Sequence, residues 1–265
     1  MSDVAVRPEI GELLREWRGR RRLTQMDLAL EAGVSSRHLS FIETGRSRPS
    51  SEMVLRLAEH LDVPLRERNA LLRAAGYAPA FAQRGLDEPE MGPVRDTLER
   101  ILRGHEPYPA LVVDRHWGLV AANAAVSLFL EGIAPHLLEP PVNVMRLSLH
   151  PEGLARRILN LAEWRAHVLD GLGRQAVLSG DPALAALHEE MAALPGEDPP
   201  AQPPQLDAGG ISIPLVLRDG ASELRFIGTA TTFSTAVDVT VSELSIESFF
   251  PADEATAEVL RERAG

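Results

Sequence analysis

The apolar and polar positions in the first third of the chain repeat with the period of short amphipathic helices. One helix is indicated by apolar residues at i, i+3, i+4 and i+7, namely Ile10, Leu13, Leu14 and Trp17. Thr24 and Ser35 are favourable N-caps for two further helices, over residues 25–32 and 36–44. A glycine follows each of these two helices, as is common at helix C-termini. These signals predict three closely spaced helices.

Two more helices follow in the same pattern. Ser50 or Ser51 caps a fourth helix, and Pro64 begins a fifth. Glycine, proline and charged residues then become frequent over residues 79–92, and the helical period is lost. We therefore predict an all-α bundle of five helices over residues 1–78, a linker over 79–92, and a second domain after it.

The second domain, residues 93–265, mixes helical and strand patterns. Residues 110–123 have the pattern of a strand, a tight turn and a strand. Helical patterns follow over residues 123–130, 152–178 and 182–194. Alternating apolar residues then run from Ile211 to Leu217, Leu224 to Ala230 and Val237 to Ile246. Five strands with helices inserted after the second predict an antiparallel sheet, so the fold class is α+β with two domains.

Charge is distributed unevenly between the two parts of the chain. The formal net charge is −11, which by itself argues against DNA binding. Residues 1–84 contain 14 arginines and 11 acidic residues, whereas residues 85–265 contain 13 arginines and 27 acidic residues. A mildly basic first part before a strongly acidic second part is typical of a DNA-binding domain attached to a domain that repels DNA.

Several function classes are excluded by what the chain lacks. It contains no cysteine and no lysine, which excludes disulfides, thiolate metal sites and lysine-dependent catalysis. No apolar run is long enough to span a membrane, and the N-terminus lacks the layout of a signal peptide. We therefore expect a cytoplasmic protein with no membrane partner.

The histidines and acidic residues do not form a catalytic pattern. The histidines show no metal-ligand spacing. His188 and Glu189 begin a zinc-protease-like pattern that lacks its second histidine. We therefore predict no catalytic residues, no metal and no cofactor, and we do not expect an enzyme.

A specific motif lies within the predicted bundle. From Leu23 the chain reads L-T-Q-x-x-L-A-x-x-A-G-V-S-x-x-x-L-S-x-I-E-x-G-x-x-x-P-S. This resembles the Cro and phage-repressor class of helix-turn-helix regulators, the XRE family, over about residues 9–76. The resemblance implies that the start of the helix 36–44 enters the major groove of a double-stranded DNA operator. It also implies a homodimer that binds two half-sites.

Helix positions and the resemblance together give the candidate DNA contacts, which are Thr24, Gln25, Ser35, Ser36, Arg37, His38, Ser40, Arg46 and Arg48. Arg37 is the best candidate for a base contact, because a guanidinium can bind guanine through two hydrogen bonds. Gln25 lies at a helix N-terminus, which favours a phosphate. Arg46 and Arg48 are expected to hold the DNA backbone; an ordinary solvated surface is the alternative for both.

Two further residues are assigned a structural role. Arg18 lies in the first helix and Glu43 lies late in the third, at positions that the XRE family pairs. The resemblance therefore implies a salt bridge that holds the third helix in place, rather than a contact with DNA.

A second resemblance lies in the second domain. Residues 110–123, A-L-V-V-D-R-H-W-G-L-V-A-A-N, resemble the first hairpin of a PAS domain. Residues 149–167, L-H-P-E-G-L-A-R-R-I-L-N-L-A-E-W-R-A-H, resemble the MmyB-like regulators. This resemblance implies a PAS-like domain that holds a small apolar ligand, with a fatty acid or similar apolar carboxylate as the candidate.

The candidate ligand contacts are Trp117, Phe129, His150, Trp164, Arg165 and Phe226. Arg165 falls in the centre of an apolar stripe on the helix predicted after Glu152, where a charged side chain needs a partner. That partner is the carboxylate of a ligand, an internal acidic residue, or water reached by a snorkelling stem. For the other five residues, packing or structural hydrogen bonding is the alternative.

Functions from different classes remain open at this point. The first is a regulator whose PAS-like domain binds a ligand and thereby changes operator affinity. The second is a DNA-binding regulator whose C-terminal domain serves only in dimerisation or protein-partner binding, which a fully packed interior would favour. A third, a degenerate or unknown enzyme, would need a polar cleft open to solvent.

Overall fold

The computed structural model describes residues 9–196 and 213–264. Within these two ranges, no helix combines the length and the apolar character that a membrane crossing requires. The predicted strand position Ile211 and the first eight residues of the predicted bundle lie outside the described residues.

The chain divides into two compact units. The first comprises the residues up to Arg84 together with residues 235–242, and the second comprises residues 85–234 and those from Glu243 onwards. The division after Arg84 falls within the segment 79–92 that the sequence assigns to a linker. The two units are described separately below.

Five helices form the body of the first unit, as the sequence predicts. They are α1 (Ile10–Arg20), α2 (Gln25–Glu31), α3 (Ser36–Glu43), α4 (Ser51–His60) and α5 (Leu65–Ala74). Their apolar faces meet in one core that includes Leu14, Trp17, Leu28, Leu39, Ile42, Leu57 and Leu72. Because α3 packs against both α1 and α2, its inner face is fixed and its outer face is free to meet a partner.

Capping side chains determine where α2, α3 and α4 begin. The Thr24 hydroxyl accepts the backbone N–H of Asp27 at 3.1 Å, and the Asp27 carboxylate accepts the N–H of Thr24 at 2.9 Å. Ser35 and Ser50 each accept a backbone N–H of the first helical turn at 3.2 Å. Gly33 follows α2 with a φ of +65°, which glycine adopts at no steric cost. The predicted N-caps are confirmed, with Ser50 as the cap of α4.

The second unit is built on a five-stranded antiparallel sheet. Its strands are β1 (Ala110–Val113), β2 (Leu119–Ala122), β3 (Leu215–Asp219), β4 (Ser222–Thr232) and β5 (Ser245–Pro251), in the order β2-β1-β5-β4-β3. Its helices are α6 (Gly92–His105), α7 (Ser127–Leu130), α8 (Val144–Leu149), α9 (Leu161–Ser179), α10 (Pro182–Ala193) and, after the short helix α11 (Val239–Ser242), α12 (Glu254–Ala264). The helices α7–α10 are inserted between β2 and β3, which confirms the predicted architecture.

The central strand β5 separates two apolar layers. Ile246 faces the layer that contains Leu98 and Leu102 of α6. Phe249, three positions further along, faces the opposite layer, which contains Phe129 and Phe226. Residues an odd number of positions apart in a strand lie on opposite faces, so this strand contributes to both apolar layers. One face of the sheet is thus covered by α6, and the other by the inserted helices together with α12.

A segment that is distant in sequence completes the first unit. Residues 235–242 contain α11, in which Val239 is fully buried and donates its N–H to the carbonyl of Ala82 at 2.8 Å. Asp238 forms an ion pair with Arg84 at 3.3 Å. The connection between β4 and β5 therefore forms part of the first unit.

The helix predicted over residues 152–178 begins later, at Leu161, so that prediction is wrong at its N-terminus. The residues before it form a 3-10 turn and an isolated bridge to β3. Asn160 holds this segment to the sheet, since its side chain donates to the Pro214 carbonyl at 2.9 Å and accepts the N–H of Val216 at 3.1 Å. Hydrogen bonds to the sheet outweigh the local helical period, so the predicted apolar stripe is interrupted.

The last strand, predicted from Val237 to Ile246, begins only at Ser245, so that prediction is also wrong at its N-terminus. The Asp238 carboxylate accepts the N–H of Thr240 at 2.9 Å, and such a cap favours a helical turn over a strand. The alternation of valines is compatible with a strand, but the capped turn is buried in the first unit instead.

The crossing of α1 and α3 gives a first prediction. A Cβ on Gly11 would lie 2.6 Å from the carbonyl oxygens of Ile42 and Glu43. We expect Gly11→Ala to lower the unfolding free energy of the first unit by about 1–3 kcal/mol, because overpacking displaces the backbone. Hydrogen exchange of the α1 and α3 backbone amides in the full chain measures this loss.

The matched control is Gly19→Ala on the same helix. No described atom lies within 4 Å of a Cβ at Gly19, so the gain in helix propensity, up to about 1 kcal/mol, acts alone there. Equal protection of the amides in the two variants would contradict a close crossing at Gly11.

Candidate functional site

A buried carboxylate, that of Glu43, joins α1, α2 and α3. Arg18 donates from Nε to Oε1 at 2.9 Å and from Nη2 to Oε2 at 3.0 Å, a bidentate pair. Gln25 donates to Oε2 at 3.0 Å, and Arg15 donates to the backbone carbonyl of Glu43 at 2.6 Å. The Glu43 side chain is 3 % exposed, and its hydrogen bond raises the pKa of Arg18. The predicted salt bridge is confirmed, and it holds the end of α3 against the bundle.

The opposite face of α3 is open. Arg37 is exposed, and its guanidinium carbon lies 5.4 Å from the centre of the Phe41 ring. Arg46, just after the helix, is also exposed and lies 6.0 Å from the same ring. Leu39, by contrast, is fully buried on the inner face. The structure thus groups two guanidinium groups around one aromatic ring on the side of α3 that faces away from the core.

Two other predicted DNA contacts have structural partners. The Gln25 amide is bonded to Glu43. Arg48 donates to the Ala75 carbonyl at 3.0 and 2.7 Å and lies 5.2 Å from the Tyr77 ring. Both side chains would have to leave these partners to reach a phosphate. Their geometry therefore supports a structural role more directly than a DNA contact.

The remaining predicted DNA contacts lie at or near the start of α3 and α2. The hydroxyls of Thr24 and Ser35 serve as N-caps. Ser36 is exposed at the first position of α3, whereas His38 and Ser40 are half-buried. Thr24, Ser35 and Ser36 thus share with Arg37 the exposure that a contact in a DNA groove requires. The hydroxyls of the first two already cap helices, so Ser36 is the better candidate.

The second unit encloses a cavity of about 340 Å³ between the sheet and its inserted helices. Its walls are mainly apolar and include Leu111, Leu215 and Phe249 from the sheet and Phe129, Met145, Val168 and Leu172 from the helices. Gly171 of α9 leaves part of this space free, because a Cβ there would meet no described atom within 4 Å. The interior on this face of the sheet is therefore not fully packed.

Two tryptophans line the cavity. Trp117 lies in the β1–β2 turn with a φ of +64°, and its Nε1 donates to Gln175 at 2.9 Å. Trp164 of α9 donates from Nε1 to the Ser148 hydroxyl at 2.9 Å. Because both indole N–H groups are satisfied by protein, the rings offer the cavity their apolar surface.

Two titratable groups also line the cavity. Glu247 of β5 accepts a hydrogen bond from the Ser245 hydroxyl at 2.9 Å, and burial raises the pKa of its carboxyl. His167 of α9 lines the cavity with part of its side chain exposed, and its pKa is lowered by desolvation and then by the positive charge of Arg174. The imidazole is therefore neutral at pH 7, since its ordinary pKa is already about 6.5.

Three of the six predicted ligand residues line this cavity, and they are Trp117, Phe129 and Trp164. Phe226 is fully buried beside them, with its ring centre 5.4 Å from that of Phe129 in an edge-to-face arrangement. It supports the wall of the cavity from behind rather than forming its surface.

Arg165 and His150 have other partners. Arg165 donates to the carbonyls of Ala192 and Leu194 at 2.6 and 3.2 Å, at the C-terminal end of α10. His150 accepts the N–H of Glu152 at Nδ1, at 3.1 Å. His150, Glu152 and His136 could together hold a metal ion, but this N–H already occupies one His150 nitrogen. Neither Arg165 nor His150 is among the described residues that line the cavity.

Sequence reasoning missed the part of the cavity that β5 contributes. Glu247 and Phe249 occur two positions apart, on one face of a strand that begins at Ser245. The predicted strand ends at Ile246, one residue before Glu247, so the prediction does not include this alternation. His167 is not among the six predicted ligand contacts, and it also lies on the cavity wall.

A helical unit with an open, arginine-bearing helix and a sheet unit with an apolar cavity define a DNA-binding regulator with a ligand-binding domain. A family model for the helix-turn-helix domain matches residues 9–71. A second model, the MmyB-like transcription regulator ligand binding domain, matches residues 94–262. Because the second match covers more than half of the chain, the protein belongs to the family of MmyB-like transcription regulators.

The chain is also similar to one curated protein and to one solved structure. The uncharacterized HTH-type transcriptional regulator RghRB of Bacillus subtilis (strain 168) is 40% identical over 74 residues, which are 28% of this chain. The match spans about half, 51%, of that relative's length. A solved structure of an RNA-binding light-oxygen-voltage receptor aligns with 96% of this chain and 60% of its own, at 13% identity. Its TM-score of 0.24 is too low to support an argument.

The Glu43 ion pair gives the second prediction. We expect Glu43→Ala to destabilise the first unit by about 3 kcal/mol, because the guanidinium of Arg18 would lose its partner in a largely buried site. The control is Glu52→Ala, which breaks an exposed pair with Arg56 on α4 and should cost less than about 1 kcal/mol. Urea unfolding of the full chain, followed by exchange of the α3 amides, compares the two. An equal loss in both variants would contradict the role given to Glu43.

Proposed function

We propose that the protein is a ligand-responsive transcription regulator. The first unit binds a DNA operator, and a small apolar ligand in the second unit changes the affinity of that binding. The observation that carries the ligand part is the largely apolar cavity of about 340 Å³, within the range of sizes typical of small-molecule sites. Such a ligand shifts operator affinity only if it binds the two states of the regulator with different affinity.

The DNA part of the proposal rests on the outer face of α3. Arg37 reads a base through its guanidinium, Arg46 contacts a phosphate, and Ser36 adds a short donor at the start of the helix. All three are exposed, whereas the inner face is fixed by Glu43. A homodimer that binds two half-sites about one helical turn apart completes this proposal.

A fatty acid is the ligand that the resemblance suggests, and its alkyl chain matches the apolar lining. Burial of such a chain contributes about 0.8 kcal/mol per methylene group. The expected anchor, Arg165, would first have to give up its bonds to the carbonyls of Ala192 and Leu194. The structure therefore supports the apolar part of this proposal more strongly than its carboxylate part.

The chain also provides a route from the cavity to the DNA-binding unit. Gly228 of β4 and Glu247 of β5 both line the cavity. The connection between these strands includes residues 235–242, which are packed into the first unit. A ligand that displaces β4 or β5 therefore acts through the connected residues 235–242, which belong to the DNA-binding unit.

The alternative proposal is that the second unit serves only in dimerisation or protein-partner binding. It is favoured by two adjacent apolar residues near the end of α9, Val177 and Leu178, which are 69% and 49% exposed, since contiguous exposed apolar surface is typical of interaction sites. It is disfavoured by the unfilled cavity. We do not propose an enzymatic role, because the groups that line the cavity are mainly apolar.

The third prediction concerns base recognition by Arg37. We expect Arg37→Ala to weaken binding to operator DNA, obtained by in vitro selection, by about 1–3 kcal/mol and to relax the sequence preference. The control is Arg56→Ala, which removes the same charge from the exposed side of α4. Fluorescence anisotropy against selected and scrambled duplexes measures both. An unchanged preference in the Arg37 variant would remove this residue from base readout.

The fourth prediction concerns the cavity. Gly171→Leu should fill the space beside α9 and abolish binding of an apolar ligand without displacing the backbone. The control is Gly104→Leu on α6, where a Cβ also meets no described atom within 4 Å but where the residue does not line the cavity. Titration with a medium-chain fatty acid, followed by intrinsic tryptophan fluorescence, compares them. Ligand binding that survives in the Gly171 variant would place the ligand elsewhere.

A further inference from the structure

The position of one acidic side chain indicates what kind of head group the cavity accepts. In the register of the sheet, Glu247 lies between Leu111 of β1 and Ala230 of β4. All three residues line the cavity, together with Phe249 on the same face of β5. Glu247 is therefore part of the floor of the cavity and not of the layer below the sheet.

The charge of the lining is unusual for a carboxylate site. Among the described residues that line the cavity, Glu247 is the one carboxyl group, and none is an arginine. His167 is the other titratable group there, and it is neutral at pH 7 because its pKa is lowered by burial. An anionic head group would therefore meet a like charge and no described cation.

The bonding state of Glu247 leaves it ready to accept a donor. Ser245 donates to Oε1 at 2.9 Å, and Oε2 makes no hydrogen bond within the described part of the chain. A carboxylate can accept several hydrogen bonds. Burial raises the pKa of the carboxyl, as expected for a charge without a counterion. A bound cation would remove that penalty.

The surroundings also place Glu247 near the opening of the cavity. Its neighbours Thr229 and Ala230 on β4 are exposed, whereas Leu172 and Leu215 deeper in the lining are fully buried. An amphiphile can therefore bury its chain among the leucines and leave its head group beside Glu247, where partial hydration lowers the cost of a charge.

We propose that Glu247 selects a ligand with an apolar chain and a cationic, hydrogen-bond-donating head group, an alkylammonium, in preference to a fatty acid carboxylate. This inference rests on the proposed function, since it requires that the cavity binds a ligand. The ammonium donates to Oε2, and the alkyl chain fills the space that Gly171 leaves open. A carboxylate of the same length fits the chain site but needs one of the two carboxyl groups to take up a proton.

The test compares decylamine, decanol and decanoate as ligands of the full-length protein at pH 7, below their micelle concentrations. Isothermal titration calorimetry should show decylamine binding at least about 10-fold more tightly than decanoate. Glu247→Gln should weaken decylamine binding by about 10- to 100-fold, the usual value of a hydrogen bond to a charged group. The same variant should bind decanoate at least as tightly as the unmodified protein does. Decanol, a neutral hydrogen-bond donor, should bind the unmodified protein with an intermediate affinity. Glu247→Gln should change that affinity little.

The control is Glu223→Gln on the exposed part of β4, which makes the same change in net charge away from the cavity. It should leave all three affinities as in the unmodified protein. Glu247→Met, which keeps the side-chain volume, should also weaken decylamine binding and provides a second measurement if the glutamine variant folds poorly.

The outcomes separate the two levels of the proposal. If no probe binds the unmodified protein, the proposed ligand-binding function fails. If decanoate binds as tightly as decylamine, or if Glu247→Gln leaves the ratio of the two affinities unchanged, the cavity still binds ligands but the role of Glu247 is refuted.

Discussion

The first unit depends on one buried interaction, the bidentate pair between Arg18 and Glu43. An almost fully buried carboxylate would be costly without a partner, and here α1 supplies Arg18 while α2 supplies Gln25. Three helices are thereby tied to one side chain near the C-terminal end of α3. The opposite side of α3 takes no part in this ion pair, so Arg37 and Arg46 remain exposed for the proposed contact with DNA. The same constraint explains why Gln25, at a helix N-terminus, is occupied within the protein.

In the second unit, the constraint is the placement of small residues around the sheet. Gly171 on α9 and Gly228 on β4 withhold side chains where large residues would fill the interior. Trp117 and Trp164 form the walls and direct their N–H groups into the protein. The result is a mainly apolar cavity in place of a packed core, and Glu247 is the one carboxyl group among the described residues that line it.

Much of this could be predicted from the sequence because it depends on local signals. The five helices, their caps and the Arg18–Glu43 pair follow from spacing, capping chemistry and a specific motif. The start of α9 and the position of the last strand could not be predicted, since they depend on hydrogen bonds between distant segments. Asn160 bonds to β3, and Asp238 caps a turn in the first unit. Because the predicted strand ends at Ile246, the sequence analysis does not include Glu247. The predicted helix also gives Arg165 an apolar stripe that extends further towards the N-terminus than α9 does.

The central claim is that the cavity holds a ligand that controls DNA binding. It is tested most directly by native mass spectrometry of the purified full chain, followed by delipidation and a second titration against in vitro selected operator DNA. The account predicts a bound amphiphile of defined mass, whose removal and return change the operator affinity reversibly. A protein that carries no such mass, and whose operator affinity stays the same when amphiphiles are added, would contradict it and would favour a dimerisation or partner-binding module.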